Sequence, residues 1–283
     1  MKQIVIISGK GGTGKTVITG ALAALAENKI MVDCDVDAAD LHLLLQPKIR
    51  QRHEFICGKT AVIDPGACTK CGQCLAACRF QAINGKYIVD PIDCEGCGLC
   101  ARVCSSDAVK LVDNKAGEWF ISDTRFGPFV HAKLGIAEEN SGKLVSRIRQ
   151  AARDIAKQRG SDYIIIDGPP GIGCPVIASL TGVDLALIVT EPTTSGLHDA
   201  KRIMDVARHF NVPVKLAVNK YDLNPEMTDE IENYCKKADV PVVGKIAFDR
   251  RFVEAMVAGK MIIEYDAQAA GEELSGIWQA LKD

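Results

Sequence analysis

The chain has 283 residues, 12 of them cysteine, and a formal net charge of −2. That length suffices for one large α/β core with a small module, and a near-neutral balance without a long Lys/Arg run offers no nucleic-acid surface. The opening apolar run, Ile4 to Ile7, is too short for a signal peptide, and no stretch approaches the roughly 20 apolar residues that span a bilayer. A soluble cytoplasmic protein is therefore expected, in which clustered cysteines point to metal rather than to disulfides.

Gln3 to Ser8 is a continuous β-branched run, as in a buried parallel strand. A glycine-rich turn follows, then a helix from about Lys15 to Asn28 with Val17, Ala21, Leu22, Leu25 and Ala26 at helical spacing. A second strand, Ile30 to Asp33, runs into the acidic stretch Asp33-Cys34-Asp35-Val36-Asp37. From Lys59 to Asp113 long periodic helices disappear and cysteines crowd together. After Trp119 the alternation resumes with a helix near Gly142–Arg159 and strands at Tyr163–Asp167, Leu185–Thr190, Val214–Asn219 and Pro241–Ile246. Helices around Gly196–Phe210 and Pro225–Lys237 lie between them. This rhythm predicts a doubly wound, mostly parallel α/β sheet built from residues 1–58 and 113–283, interrupted by a small α+β domain of residues 59–112.

The interrupting segment is an internal repeat with an offset of 26 residues: Asp64-Pro65 recurs as Asp90-Pro91, Gly72 as Gly98, and Ala82-Ile83 as Ala108-Val109. Cys68, Cys71, Cys74 and Cys78 recur as Cys94, Cys97, Cys100 and Cys104, the spacing of bacterial two-cluster ferredoxins. In that pattern the fourth cysteine of each run ligates the other cluster. One [4Fe–4S] cluster would then take Cys68, Cys71, Cys74 and Cys104, and the other Cys94, Cys97, Cys100 and Cys78. Structural zinc is the competing reading, but zinc ribbons present two separated pairs rather than two runs of four. The proline that usually follows the fourth cysteine is replaced by Arg79 and Ser105, which keeps the ligands and alters the loops. Charge near the sulfurs tunes potential, so Arg79 is a candidate for raising that of one cluster.

Gly9-Lys10-Gly11-Gly12-Thr13-Gly14-Lys15-Thr16 fits G-x-x-x-x-G-K-[ST] between a predicted strand and a predicted helix. Its backbone N–H groups would cradle phosphates, Lys15 would reach the β- and γ-phosphates, and Thr16 would ligate Mg²⁺. Asp167, ending a buried apolar strand, is the second expected Mg²⁺ ligand. Asn219-Lys220-Tyr221-Asp222 fits N-K-x-D, which in GTPases reads guanine through the aspartate, so the residues alone leave ATP and GTP both open.

With Lys10 in place, the loop resembles the K-G-G-x-G-K-[ST] phosphate loop of the MinD/ParA/Mrp ATPases and the nitrogenase iron protein. The resemblance extends to Asp33–Asp37 as a first switch and to Asp167-Gly168-Pro169-Pro170-Gly171 as a second. It also covers Glu139-Asn140-Ser141-Gly142-Lys143-Leu144 and Glu191-Pro192-Thr193, and so nearly the whole chain. It implies ATP as the nucleotide with Asn219 at the adenine, and an ATP-dependent homodimer in which Lys10 reaches the partner's nucleotide. It also implies that Asp37 positions the attacking water, Asp33 or Asp35 supports Mg²⁺ through water, and Gly168 offers its N–H to the γ-phosphate. Overall the chain is similar to MinD-superfamily ATPases with an inserted ferredoxin domain.

Three functions follow as expectations. The first is ATP-gated electron transfer through the two clusters to an unidentified redox partner. The second is a cluster carrier of the Mrp type, delivering to an accepting protein; eight well-spaced thiolates suit tight binding better than delivery. The third is a MinD-like positioning ATPase, which would need a membrane face. Leu274, Ile277, Trp278 and Leu281 form an apolar helix face, but few basic residues flank it, and packing on the sheet is expected instead. Of the other cysteines, Cys34 and Cys235 are expected to be buried and Cys57 carries no reading. Cys174 is expected to be a buried switch residue, with a cluster bridging two copies as the alternative, because it shares its offset from Asp167 with a cluster cysteine of the nitrogenase iron protein.

Overall fold

The computed structural model describes residues 1–135, 138, 141–269 and 271–283. The elements are β1 (Lys2–Ser8), α1 (Lys15–Leu25), β2 (Lys29–Asp33), α2 (Leu41–Leu45), β3 (Lys48–Ile63), α3 (Gln73–Ala77), α4 (Leu99–Arg102), β4 (Val109–Thr124) and β5 (Gly127–Leu134). They continue with α5 (Ser141–Arg159), β6 (Tyr163–Pro170), α6 (Cys174–Leu180), β7 (Leu185–Thr190), α7 (Thr194–His209), β8 (Val214–Asn219), α8 (Pro225–Lys237), β9 (Val242–Ile246), α9 (Arg251–Val257), α10 (Ile262–Tyr265) and α11 (Gly271–Lys282). Two compact units result. The first comprises Met1–Arg52, Trp119–Lys133 and Ser141–Asp283; the second comprises His53–Glu118 and Leu134–Asn140.

The nine-stranded sheet follows the order β3-β4-β5-β2-β6-β1-β7-β8-β9, and most of the residues of β3 and β4 belong to the second unit. β1 pairs with β6 and β7, β2 with β5 and β6, β7 with β8 and β8 with β9, all parallel. Parallel strands need covering on both faces, and β1 meets that need: Ile4 and Ile6 are buried on one side, Val5 and Ile7 on the other. The first side forms one apolar cluster with Ile165 and Leu187, with Ile18 and Leu22 of α1, and with Leu274, Ile277 and Leu281 of α11.

The expected apolar face of α11 is thus spent on the core. Trp278 stands edge-on to Tyr163 at 5.1 Å. A Cβ on Gly244 of β9 would lie 2.4 Å from Ile277, so the helix sits directly on strand backbone. Among the described residues no helix is long and apolar enough to cross a membrane.

The sequence reading missed β3, β4 and β5. In β3 only Ala61 is buried, and Phe55, Ile56, Val62 and Ile63 put apolar side chains on both faces, so the one-sided apolar alternation by which a strand is recognised is missing. The expected helix to Asn28 stops instead at Leu25, and Asn28 takes a left-handed φ of 43° before β2.

In the second unit the 26-residue repeat is also a repeat of backbone conformation. Left-handed residues recur in register: Lys70 with Gly96, Gly72 with Gly98, and Gln81 with Asp107. So do hydrogen bonds. The Gly66 N–H donates to Asp64 Oδ1 at 2.8 Å and the Ile92 N–H to Asp90 Oδ1 at 2.9 Å, while Cys78 N to Leu75 O and Cys104 N to Ala101 O are both 3.4 Å. Ala82, Ile83, Ala108 and Val109 are buried at matching positions.

Replacing Ile277 by alanine removes apolar volume from a site with no exposure. It should destabilise the fold by about 2–5 kcal/mol, read as a lowered urea midpoint at unchanged slope.

Candidate functional site

The phosphate loop links β1 to α1. Gly12 and Gly14 have φ values of 82° and 85°, a region open to glycine at little cost. Gly9 is needed for another reason, since a Cβ there would lie 2.1 Å from Asp199 Cβ of α7. The Asn219 amide closes the loop from β8 by donating to the Thr13 carbonyl at 2.8 Å.

The charged centre lies where three parallel strands are in register, with Asp33 of β2 and Ile6 of β1 both opposite Asp167 of β6. Lys15 donates to Asp167 Oδ1 at 3.0 Å, and the Thr16 and Thr19 hydroxyls donate to the same carboxylate, both at 2.8 Å. Asp35 stands 3.6 Å from the Lys15 ammonium. Asp33 accepts the N–H groups of Asp35 and Leu41, which fixes the start of the acidic loop.

Burial alone would lower the Lys15 pKa, but Asp167, Asp35 and Asp33 outweigh it and hold the ammonium above its ordinary value. Burial, with Asp167 alongside, pushes the Asp33 carboxyl well above the usual range. Burial likewise raises Asp35 to about 6 against the pull of Lys15. Three carboxylates around one lysine make a site that a divalent cation would relieve, and Thr16 and Asp167, already adjacent, fit Mg²⁺ in donor type. The Thr13 hydroxyl is buried without a hydrogen-bond partner, a polar atom left open on the loop.

Other expected residues divide between this centre and its margins. Asp37 is exposed beyond the charged centre. Gly168 lies inside β6, where a Cβ would meet Ile7 at 2.4 Å; close strand packing requires the glycine. Lys10 folds back to Glu191 at 3.5 Å, with the Ser195 hydroxyl at 3.3 Å. Ser141 and Gly142 open α5, while Glu139 and Asn140 lie outside the described residues. Cys34 and Cys235 are buried as expected. Cys174 is exposed, which corrects the expectation of burial: it begins α6 directly after the Gly171–Gly173 turn, where the chain leaves the sheet.

Beside the loop is a cavity of about 150 Å³, lined by Gly12, Gly14 and Asn219 and walled by Phe248, Phe252 and Met256. The sequence reading missed these three side chains, because a base-sized apolar pocket has no spacing signature. Asp222, which would read guanine, does not line it; its carboxylate instead accepts the Phe248 N–H at 2.6 Å.

In the second unit, Cys78 of the first run lines a cavity of about 320 Å³ with Cys94, Cys97 and Cys100 of the second. Arg79 and Glu95 share that lining, and the Arg79 guanidinium stacks on Phe80 at 4.6 Å. Conversely, the Cys74 thiol is raised first by burial and further by its neighbours Cys68 and Cys104. The fourth cysteine of the first run therefore stands with the second run, and that of the second, Cys104, lies near Cys74 of the first. Among the described residues no three His, Cys, Asp or Glu side chains group tightly enough for a single metal ion. Zn–S bonds of about 2.3 Å would require such a group, whereas the thiolates of a four-iron cluster stand further apart. The lining fits that larger group in donor type and in room.

The family described as the CobQ/CobB/MinD/ParA nucleotide binding domain matches residues 4–262. The chain belongs to this family. An uncharacterized protein of Methanocaldococcus jannaschii is 34% identical over 99% of this chain and 96% of its own length. The septum site-determining protein MinD of Bacillus subtilis is 24% identical, over 92% of this chain and 81% of its own. In fold, the chain is similar to MinD of Pyrococcus horikoshii solved with Mg-ADP, at a TM-score of 0.61 and 18% identity, covering 100% of this chain and 96% of that one. This MinD/ParA-family chain is a P-loop ATPase with a mostly parallel α/β fold.

Two measurements follow from this geometry. ATP should outcompete GTP for the site by about tenfold or more, the scale of one lost hydrogen bond, in displacement of a fluorescent nucleotide. Because the Asp35 pKa is raised to about 6, the folded chain binds more protons than the unfolded between about pH 4 and 6. That group should therefore make nucleotide-free stability fall as pH rises through this window, and Asp35→Asn should flatten the slope of urea midpoint against pH.

Proposed function

We propose that the chain is a nucleotide-switched ATPase of the MinD kind that dimerises on ATP and acts through a partner protein. The observation carrying this reading is the buried Lys15–Asp167–Thr16 centre beneath a glycine loop that begins with Lys10. In use, Thr16 and Asp167 would hold Mg²⁺, which neutralises charge on the phosphates as the γ-phosphoryl group is transferred to water. Lys15 exchanges Asp167 for the phosphates, and the loop N–H groups of Gly11 to Lys15 bind their oxygens. Asp37, exposed at the edge of the centre, orients the attacking water. Lys10 serves the nucleotide of the second copy, Asn219 faces the base, and the Gly168 segment is the switch that feels the γ-phosphate.

A second reading is favoured by the crossed cysteines. Cys78 among Cys94, Cys97 and Cys100, and Cys68 and Cys104 each near enough to Cys74 to raise its thiol, support a ferredoxin-like domain over residues 59–112 with two [4Fe–4S] clusters. Such clusters supply one-electron transfer. The ATP-driven switch would then gate exchange of electrons with a redox partner, rather than positioning alone.

Anaerobic purification, iron analysis and an EPR-monitored redox titration with and without MgATP test both readings. About eight irons per chain and a spectrum or potential that MgATP shifts would support gated electron transfer. About eight irons indifferent to MgATP would leave partner-directed positioning, and absence of iron would remove the ferredoxin reading. In parallel, Lys10→Ala should abolish the ATP-dependent dimer seen by light scattering while the monomer still binds nucleotide.

A further inference from the structure

Glu191 follows β7 and is only 15% exposed, yet its single carboxylate faces two ammonium groups. Lys10 lies 3.5 Å from Oε2. Lys220 pairs with Oε1 and also donates to the Gly12 carbonyl at 3.4 Å, so the same carboxylate is tied to the phosphate loop from two sides. Its perch is firm. The Thr193 N–H donates to the Glu191 carbonyl at 2.8 Å, and a Cβ on Gly196 would lie 2.4 Å from that oxygen.

The place where Lys10 rests is otherwise unsuited to a cation. Its ammonium reaches the hydroxyls of Thr193 and Ser195 at 3.5 and 3.3 Å. Thr193 is the N-cap of the 16-residue α7 and accepts the Gly196 N–H at 3.0 Å, so Lys10 lies against the positive end of a helix dipole. Glu191 is the counter-charge that makes the position tenable.

We propose that Glu191 is a positioning residue that holds Lys10 back on its own phosphate loop until nucleotide phosphates compete for the lysines around it. The inference rests on the ATP-dimer reading above. Phosphates arriving at the loop bring negative charge beside Gly12 and Lys220, draw Lys220 away from the carboxylate and repel Glu191 itself. Lys10 then loses its local partner and becomes free for the second copy. Dimerisation is thereby made conditional on a filled site, at the expense of some affinity.

The test compares the parent chain with Glu191→Gln and Glu191→Asp. Sedimentation velocity over an ATP series reads dimerisation, and acetic anhydride labelling followed by mass spectrometry reads Lys10 accessibility in the nucleotide-free chain. Glu191→Gln should lower the ATP concentration for half-dimerisation by about two- to fivefold, the scale of a partly exposed ion pair. It should also raise Lys10 labelling relative to the exposed Lys157, and Glu191→Asp should return both values toward the parent. Unchanged Lys10 labelling, or an equal or higher ATP requirement in Glu191→Gln, would overturn the proposal. If the parent stays monomeric with ATP, the dimer reading fails, while the labelling still decides whether Glu191 holds Lys10.

Discussion

The Asp167 carboxylate is fully buried within β6, and most of the nucleotide site is arranged around it. A buried charge without partners costs several kcal/mol, so the fold must deliver donors to it. Lys15, Thr16 and Thr19 all come from the first turns of one helix, and the parallel register of β1, β2 and β6 brings Asp33 opposite. The backbone takes part as well, since the Cys34 N–H donates to the Asp167 carbonyl at 2.8 Å. One helix, two strand ends and the acidic loop are thereby held to a common point, and a change in what occupies that point is felt by all of them.

The second unit is built on another principle. Its buried side chains are mostly small, with Ala61, Ala82 and Ala108 beside Ile83 and Val109, and its helices α3 and α4 span five and four residues. Such a core buries too little apolar surface to hold a fold of this size unaided. What it does have is tightly specified backbone, with left-handed turns repeated every 26 residues, and cysteines facing internal space. Under the cluster reading, the inorganic core takes the place that large side chains hold in the first unit.

Much of this was legible in the sequence, and the reasons differ by element. The glycine loop and Asp167 are readable because nucleotide chemistry demands particular residue types at fixed spacing, and the cysteine runs stand out as a repeat at a fixed offset. The strands β1, β6, β7 and β8 are readable because full burial demands β-branched runs. β3, with a single buried residue, carries no such demand, and Cys174 misleads because nothing in the residues around it marks the start of α6 as exposed. The walls of the cavity beside the phosphate loop, Phe248, Phe252 and Met256, and the pairing of Glu191 with Lys10, join segments far apart in the chain; only the fold brings them together.

The C-terminal helix shows how one pattern serves opposite ends. An amphipathic helix binds a membrane surface when its apolar face is free and its polar face basic. In α11 the face of Leu274, Ile277, Trp278 and Leu281 is buried against β9 and the core around α1, and its first turn carries Glu272 and Glu273. Detaching it to meet a bilayer would expose those four side chains and uncover the sheet, at about 1.5–3 kcal/mol for each. The acidic first turn would then be repelled by anionic lipid. The hydrophobic pattern in this helix is therefore a requirement of the parallel sheet and of the core around α1 that it covers.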